Sequence, residues 1–255
     1  VLAFVKERGV VHPREVDAHF AHGKVRNWFG GSSNASTQLL DAMHYRGLLR
    51  VARREGGVRL YAAREAPAGD LPDCGEALDR LFDVAVRKYA PMPQATLGLL
   101  ASYLCVGAPQ WRDQRGAALR RVRERLAHAR LDGTLWYWPA DESPRSRRHQ
   151  VADDVRLLAP FDPLVWDRRR FELFWGWAYR FEAYTPASKR VRGYYALPLL
   201  WRDQVIGWGN LAWRGGRLQA DFGYAAGCPP KDSAFQRALA EELSRMECFL
   251  SPSVP

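Results

Sequence analysis

The chain has 255 residues, 47% of them hydrophobic, with 38 Lys and Arg against 28 Asp and Glu for a net charge of +10. Length and apolar content allow one to three buried cores, and the positive balance favours a polyanionic partner such as nucleic acid. No apolar run approaches membrane-spanning length, no signal-peptide pattern opens the chain, and Cys74, Cys105, Cys228 and Cys248 are too scattered for a disulfide framework or a structural zinc site. These features predict a cytoplasmic protein with reduced thiols.

Residues 1–66 have the grammar of a winged helix. Val1–Arg8 reads as an amphipathic helix ended by Gly9, and its start without a Met or a capping residue suggests the C-terminal part of a longer protein. His12-Pro13 opens a second helix, with Val16 and Phe20 on its apolar face. Lys24–Gly31 is a basic, aromatic loop, and Ser33–Arg46 a third helix turning Leu39, Leu40, Met43 and Ala42 inward. Leu48–Ala52 and Val58–Ala62 then form a hairpin across Glu55-Gly56-Gly57. In this order the third helix is the one that can enter a DNA groove.

Ala66–Pro72 is a Pro/Gly/Ala linker, after which the plan repeats in residues 73–158 without any residue-level repeat. Cys74–Tyr89 carries Leu78, Leu81, Phe82, Ala85 and Tyr89 at helical spacing; Met92-Pro93 opens a helix that Gly107-Ala-Pro109 stops; Gln114–Arg130 is a third helix. Leu135–Trp138 and Gln150–Leu158 are expected as wing strands around a basic tip, Pro139–His149.

Residues 159–255 turn mostly to strand. A proline-bracketed corner (Pro160, Pro163) precedes Asp167-Arg-Arg-Arg170 and a short aromatic helix near Phe171–Tyr179. Tyr194–Trp201, Gln204–Trp213 and Arg217–Tyr224 read as antiparallel strands with Trp201, Trp208, Trp213 and Phe222 as core, closed by an amphipathic helix over Asp232–Phe249. The fold class expected is α+β: tandem winged helices followed by a small antiparallel β-barrel-like module.

Basic residues outnumber acidic ones 11 to 6 in 1–66, 13 to 10 in 67–149 and 14 to 12 in 150–255, so the first segment is the best place for a polyanion. There Lys24, Arg26, Asn27 and Trp28 combine charge with an aromatic, and Gly30–Asn34, including Ser33 and Asn34, offers backbone N–H groups at a helix start that suits a phosphate. Gln38 and His44 lie where base edges are reached. Arg145, Arg147, Arg148 and His149 occupy the expected second wing tip, and Lys189, Arg190 and Arg192 form a further basic loop. The competing readings are an ordinary capped helix with Trp28 in the core for Lys24–Asn34, a solvent-facing helix side for Gln38 and His44, a solvated, disordered hairpin tip for Arg145–His149, and a charged surface loop for Lys189–Arg192. Asp167–Arg170 reads better as an internal ion-pair corner, and Asp162, between two prolines, as a turn cap. His19-x-x-His22 lacks companion ligands, and no phosphate loop, dinucleotide fingerprint or serine elbow is present.

Several stretches are long enough to carry a family resemblance. Leu157-Leu-Ala-Pro-Phe-Asp-Pro-Leu-Val-Trp-Asp-Arg-Arg-Arg170, Phe174-Trp-Gly-Trp177, Tyr179-Arg-Phe-Glu-Ala-Tyr-Thr-Pro186, Gly193-Tyr-Tyr-Ala-Leu-Pro-Leu-Leu-Trp-Arg-Asp203 and Lys24-Val-Arg-Asn-Trp-Phe-Gly-Gly-Ser32 resemble the tandem winged-helix DNA glycosylases that unhook interstrand crosslinks, the YcaQ/AlkZ-like family. The resemblance implies a bacterial DNA-repair hydrolase acting on N7-alkylated purines in double-stranded DNA, as a monomer, without membrane, metal or cofactor. It also implies a catalytic Gln-x-Gln or Gln-x-Asp pair in an N-terminal winged helix. Here Gln219-Ala-Asp221 is the nearest pattern, in the wrong context, so the catalytic helix is expected upstream of Val1 and these residues are expected to hold DNA. The alternative is a non-enzymatic winged-helix transcriptional regulator whose C-terminal module senses a ligand or dimerises.

Overall fold

A computed structural model describes residues 1–27, 30–65, 73–148 and 150–251; Trp28, His149 and the Ala66–Pro72 linker fall outside them. The chain forms two compact units, Val1–Ala77 with Tyr103–Asp113, and Leu78–Ser102 with Gln114–Pro255.

The first unit begins with α1 (Leu2–Arg8), ended by Gly9 at φ +78°, and the two-residue strand β1 (Val10–Val11). In α2 (Pro13–Phe20) the His12 imidazole accepts the Arg14 N–H while the Glu15 carboxylate accepts the His12 N–H, a reciprocal cap on the helix's first turn. The stretch expected as a loop is an antiparallel ribbon, β2 (Lys24–Arg26) on β3 (Ser32–Asn34). It is followed by α3 (Ala35–Tyr45), β4 (Leu49–Glu55) and β5 (Val58–Ala63), in a sheet of order β1-β5-β4. Gly56 and Gly57, at φ +53° and +80°, supply the left-handed pair that a tight hairpin needs. Val5, Val11, Val16, Leu40, Leu49 and Tyr61 form the core. The inner stripe of α3 is Ser36, Leu40 and Met43; at about 100° per residue Leu39 falls at the flank of that stripe and Ala42 on the far side, and both are exposed.

After the first sheet come α4 (Cys74–Tyr89), β6 (Met92–Pro93) and α5 (Gln94–Gly107), with Leu78–Tyr89 of α4, β6 and Gln94–Ser102 of α5 in the second unit. Then come α6 (Arg115–Arg125), β7 (Leu126–Leu131) and β8 (Thr134–Pro139), giving a sheet of order β6-β8-β7. Two expectations fail here. The third helix stops at Arg125, because residues 126–131 pair one-for-one with β8 across Asp132-Gly133, both at positive φ. The strand β9 (Val155–Leu157) pairs not with β8 but with β10 (Leu197–Trp201). Pro139–His149 is therefore a connection between sheets, and the tip of this hairpin is Asp132-Gly133.

After α7 (Arg168–Trp175), β10 joins β11 (Gln204–Arg214) and β12 (Arg217–Tyr224) in an antiparallel sheet of order β12-β11-β10-β9, with α8 (Ser233–Leu250) packed on it. Among the described residues this sheet is open, with β12 and β9 as its edges, and the barrel-like expectation is corrected. Four strands with α8 over one face bury Val155, Leu157, Leu199, Trp201, Phe235 and Ala238 without closure. Of the expected aromatics only Trp201 is fully buried; the Trp208 ring lies across Gly223, where a Cβ would fall 2.2 Å from it. Among the described residues, no helix is long and apolar enough to cross a membrane.

Candidate nucleic-acid interface

Pairing along the β2–β3 ribbon orients its side chains and consumes much of its backbone. Lys24 and Arg26 are exposed, and no carboxylate pairs with either among the described residues. Asn27 and Gly31 close the ribbon by mutual bonds, the Gly31 N–H donating to Asn27 Oδ1 at 3.0 Å and the Asn27 N–H to Gly31 O at 2.8 Å. The Ala35 N–H, at the start of α3, donates to Gly23 O. Asn34 Nδ2 and Ser36 Oγ donate to the two oxygens of Asp17, at 2.8 and 3.1 Å. The expected open phosphate cradle at Gly30–Asn34 is thus filled from within, and a carboxylate bonds to Asn34 and Ser36 at the helix start. Gln38 donates to Arg26 O and Ser33 Oγ, both at 3.0 Å, tying ribbon to helix; His44 packs edge-on to Tyr61. From the expected first-unit cluster, Lys24 and Arg26 keep side chains aimed at solvent.

The β4–β5 hairpin adds what the sequence reading missed. Arg53 pairs with Glu55 and Arg59 with Asp41, whereas Arg50 and Arg54 have no carboxylate partner among the described residues. The signal was Arg50-x-x-Arg53-Arg54 running into Gly56-Gly57, basic side chains beside a tight turn. On α6, Arg121 forks onto Asp79 through Nε and Nη2, and Arg125 Nη1 donates to both oxygens of Asp83, all at 2.9–3.0 Å, matching two i,i+4 pairs across the two helices. Arg120 and Arg123, with Gly116 at the same helical stripe, have no such partner among the described residues.

Arg145, Arg147 and Arg148 are exposed beyond β8, where the Arg145 and Arg148 backbone N–H groups donate to Ser143 Oγ and Ser146 Oγ, and they do not sit at a hairpin tip. In the basic loop, Lys189 is exposed at the end of a 3-10 turn. Arg190 instead donates to Thr185 O and lies 4.9 Å over the Tyr194 ring, and Arg192 lies between Trp177 and Trp208 while donating to Ala178 O. The N–H groups of Val191, Arg192 and Gly193 converge on Glu182 Oε2 at 2.8–3.2 Å, so a nest able to hold an anion already holds one. Burial raises the Glu182 pKa, but these three donors and Arg192 outweigh it and hold the carboxyl below its ordinary value.

The Arg cluster of α7 is only partly internal: Arg168 and Arg170 turn inward, onto backbone carbonyls and not into the expected ion pairs, while Arg169 is exposed. Asp167 caps the Arg169 and Arg170 N–H groups and accepts from Thr96. Arg170, 1% exposed, donates to Tyr89 O and Pro163 O, and burial lowers its pKa. Arg168 donates to Pro160 O and stacks 4.5 Å over Tyr179. Asp162 accepts the Leu164 N–H as a turn cap. His19 stacks on Phe4 and His22 on Phe20.

A family model of AlkZ-like DNA glycosylases matches residues 1–249. The chain belongs to the AlkZ-like DNA glycosylase family. It is also similar in fold to the DNA glycosylase AlkZ of Streptomyces sahachiroi, with a TM-score of 0.57 and 14% identity over 94% of this chain. The chain spans 62% of that protein's length. The family match runs over nearly all the residues and does not itself point to an absent catalytic domain. Within this family member, Gln219 and Asp221 sit two apart on the edge strand β12, both exposed and opposite Ala212 and Asn210. The Asn210 amide donates instead to Arg192 O.

Proposed function

We propose that this chain holds duplex DNA for a glycosylase that excises N7-alkylated purines and unhooks interstrand crosslinks. The observation that carries the proposal is the family match over residues 1–249. Support comes from the unneutralised basic side chains of the first unit, Lys24 and Arg26 on the β2–β3 ribbon and Arg50 and Arg54 on the β4–β5 hairpin. Helix order and hairpin placement in 1–66 and 73–139 suit two winged-helix modules, with α3 and α6 as the groove-facing helices.

Alkylation at N7 makes the purine a good leaving group, so the enzyme's task is to stabilise an oxocarbenium-like sugar and orient a water. An amide paired with a carboxylate or a second amide does this without a metal or cofactor. These residues bind and shape the duplex; the bond is broken by groups other than Gln219 and Asp221. Incubating the chain with N7-methylguanine DNA and cleaving abasic sites with alkali tests both halves. No strand breaks above a no-protein control, together with duplex binding, is the expected result. Breaks by this chain would place the active site within it, with Gln219 and Asp221 the first positions to change.

A further inference from the structure

The outer face of the β7–β8 hairpin carries a cavity that duplex holding leaves unused. Trp136 and Trp138, two apart on β8, share one face, while Tyr137 between them is buried on the other. Their cross-strand partners on β7 are Ala129 and Ala127, too small to fill the space beside an indole. The result is a cavity of about 550 Å³ walled by Trp136, Trp138, Phe174, Leu173 and Leu131. Leu131 is 63% and Leu173 47% exposed, so the walls face water. The rings are fixed: Trp136 stacks on Phe174 with centroids 5.3 Å apart, and the Trp138 indole N–H donates to Glu142 O at 3.2 Å.

A second cavity of about 280 Å³ shares Arg130 and Leu173 with the first and adds Arg169. Arg130 donates to Gly133 O within the hairpin, Arg169 is exposed, and neither has a carboxylate partner among the described residues. An aromatic cavity opening beside two guanidinium groups matches the two ends of a nucleotide. A flat base stacks on indole, and its phosphate pairs with arginine.

We propose that the Trp136–Trp138 cavity receives an unpaired base of bound DNA, with the adjoining phosphate held by Arg130 and Arg169. The inference rests on the DNA-holding reading and extends it from paired duplex to an extruded or bulged nucleotide. A base out of the stack has already lost its pairing, so stacking in the cavity is a net gain for that form alone.

Fluorescence anisotropy with two labelled duplexes, one fully paired and one with a single bulged adenine, is the test. The chain is expected to bind the bulged duplex roughly tenfold tighter, the scale of one base–aromatic stack. Trp138→Leu should abolish that preference and leave paired-duplex binding unchanged; Arg169→Ala, at an exposed position, should reduce it several-fold. If Trp138→Leu proves unfolded by circular dichroism, Arg169→Ala alone decides. Equal binding of both duplexes by the unaltered chain, or a preference that survives these changes, overturns the proposal, as would occupation of the cavity by an apolar protein partner instead. Binding of the paired duplex alone refutes this inference and spares the duplex-holding reading; binding of neither refutes both.

Discussion

Glu242 is the sharpest test of how the C-terminal sheet is held. It sits on the inner stripe of α8 where the pattern calls for an apolar residue, and it is 4% exposed. Its Oε1 accepts the buried Leu157 N–H at 2.7 Å, and its Oε2 takes Arg245 Nε and Nη2 at 3.0 and 2.9 Å. Glu242→Ala leaves the Leu157 amide buried without an acceptor, costing about 2–3 kcal/mol for a bond to a charged group. Arg245 is half-exposed and recovers water, so its lost partner adds at most about 1 kcal/mol. The total is about 2–4 kcal/mol. Glu242→Gln keeps one acceptor oxygen and should cost about 1–2 kcal/mol. Urea unfolding followed by tryptophan fluorescence gives both values, with an unchanged slope showing that stability alone has moved. A loss below about 1 kcal/mol for the alanine variant, or equal losses for both, would refute the reasoning.

Lys24→Ala with Arg26→Ala should weaken duplex binding uniformly across sequences and reduce the salt slope by about 2, read by anisotropy at several salt concentrations. Changing Arg145, Arg147 and Arg148 together to Ala should lower duplex affinity without altering stability; equal affinity would remove that segment from the interface. Burial pushes the Tyr179 hydroxyl up to about 12 from 10.0, and it donates to Ala196 O at 2.7 Å. Because the folded value is the higher one, this stabilisation is fully present below pH 10.0 and lost as pH rises toward about 12. Tyr179→Phe should flatten that alkaline decline in a pH series of thermal unfolding.

Much of the fold was legible because its signals are local. Gly9, His12-Pro13, Gly56-Gly57 and the run Cys74–Tyr89 each encode a cap, a turn or a helical stripe in a few residues. Leu126–Leu131 was misread because its Ala and Arg content favours helix, whereas strand pairing with Thr134–Pro139 decides the outcome. The Asp132-Gly133 dipeptide held the counter-signal. The partner of Val155–Leu157 lies some 40 residues on, at Leu199–Trp201, and no local pattern names it. In the candidate site, composition located the basic surfaces but not their neutralisation. Asp17, Glu182, Asp79 and Asp83 are distant in sequence from the groups they occupy, so only the folded chain separates Lys24, Arg26, Arg50 and Arg54 from arginines already paired internally.

The central claim, that this chain grips duplex DNA through phosphates, is met most directly by titrating a fluorescein-labelled duplex of arbitrary sequence at several salt concentrations. With Lys24, Arg26, Arg50 and Arg54 each displacing counterions at about 0.9 per contact, log affinity should fall linearly with log salt at a slope of about −3 to −4 from these four alone, steeper by the share of Arg145, Arg147 and Arg148, and alike for unrelated sequences. Affinity indifferent to salt, or tight binding confined to one sequence, would contradict the account and favour a sequence-reading regulator.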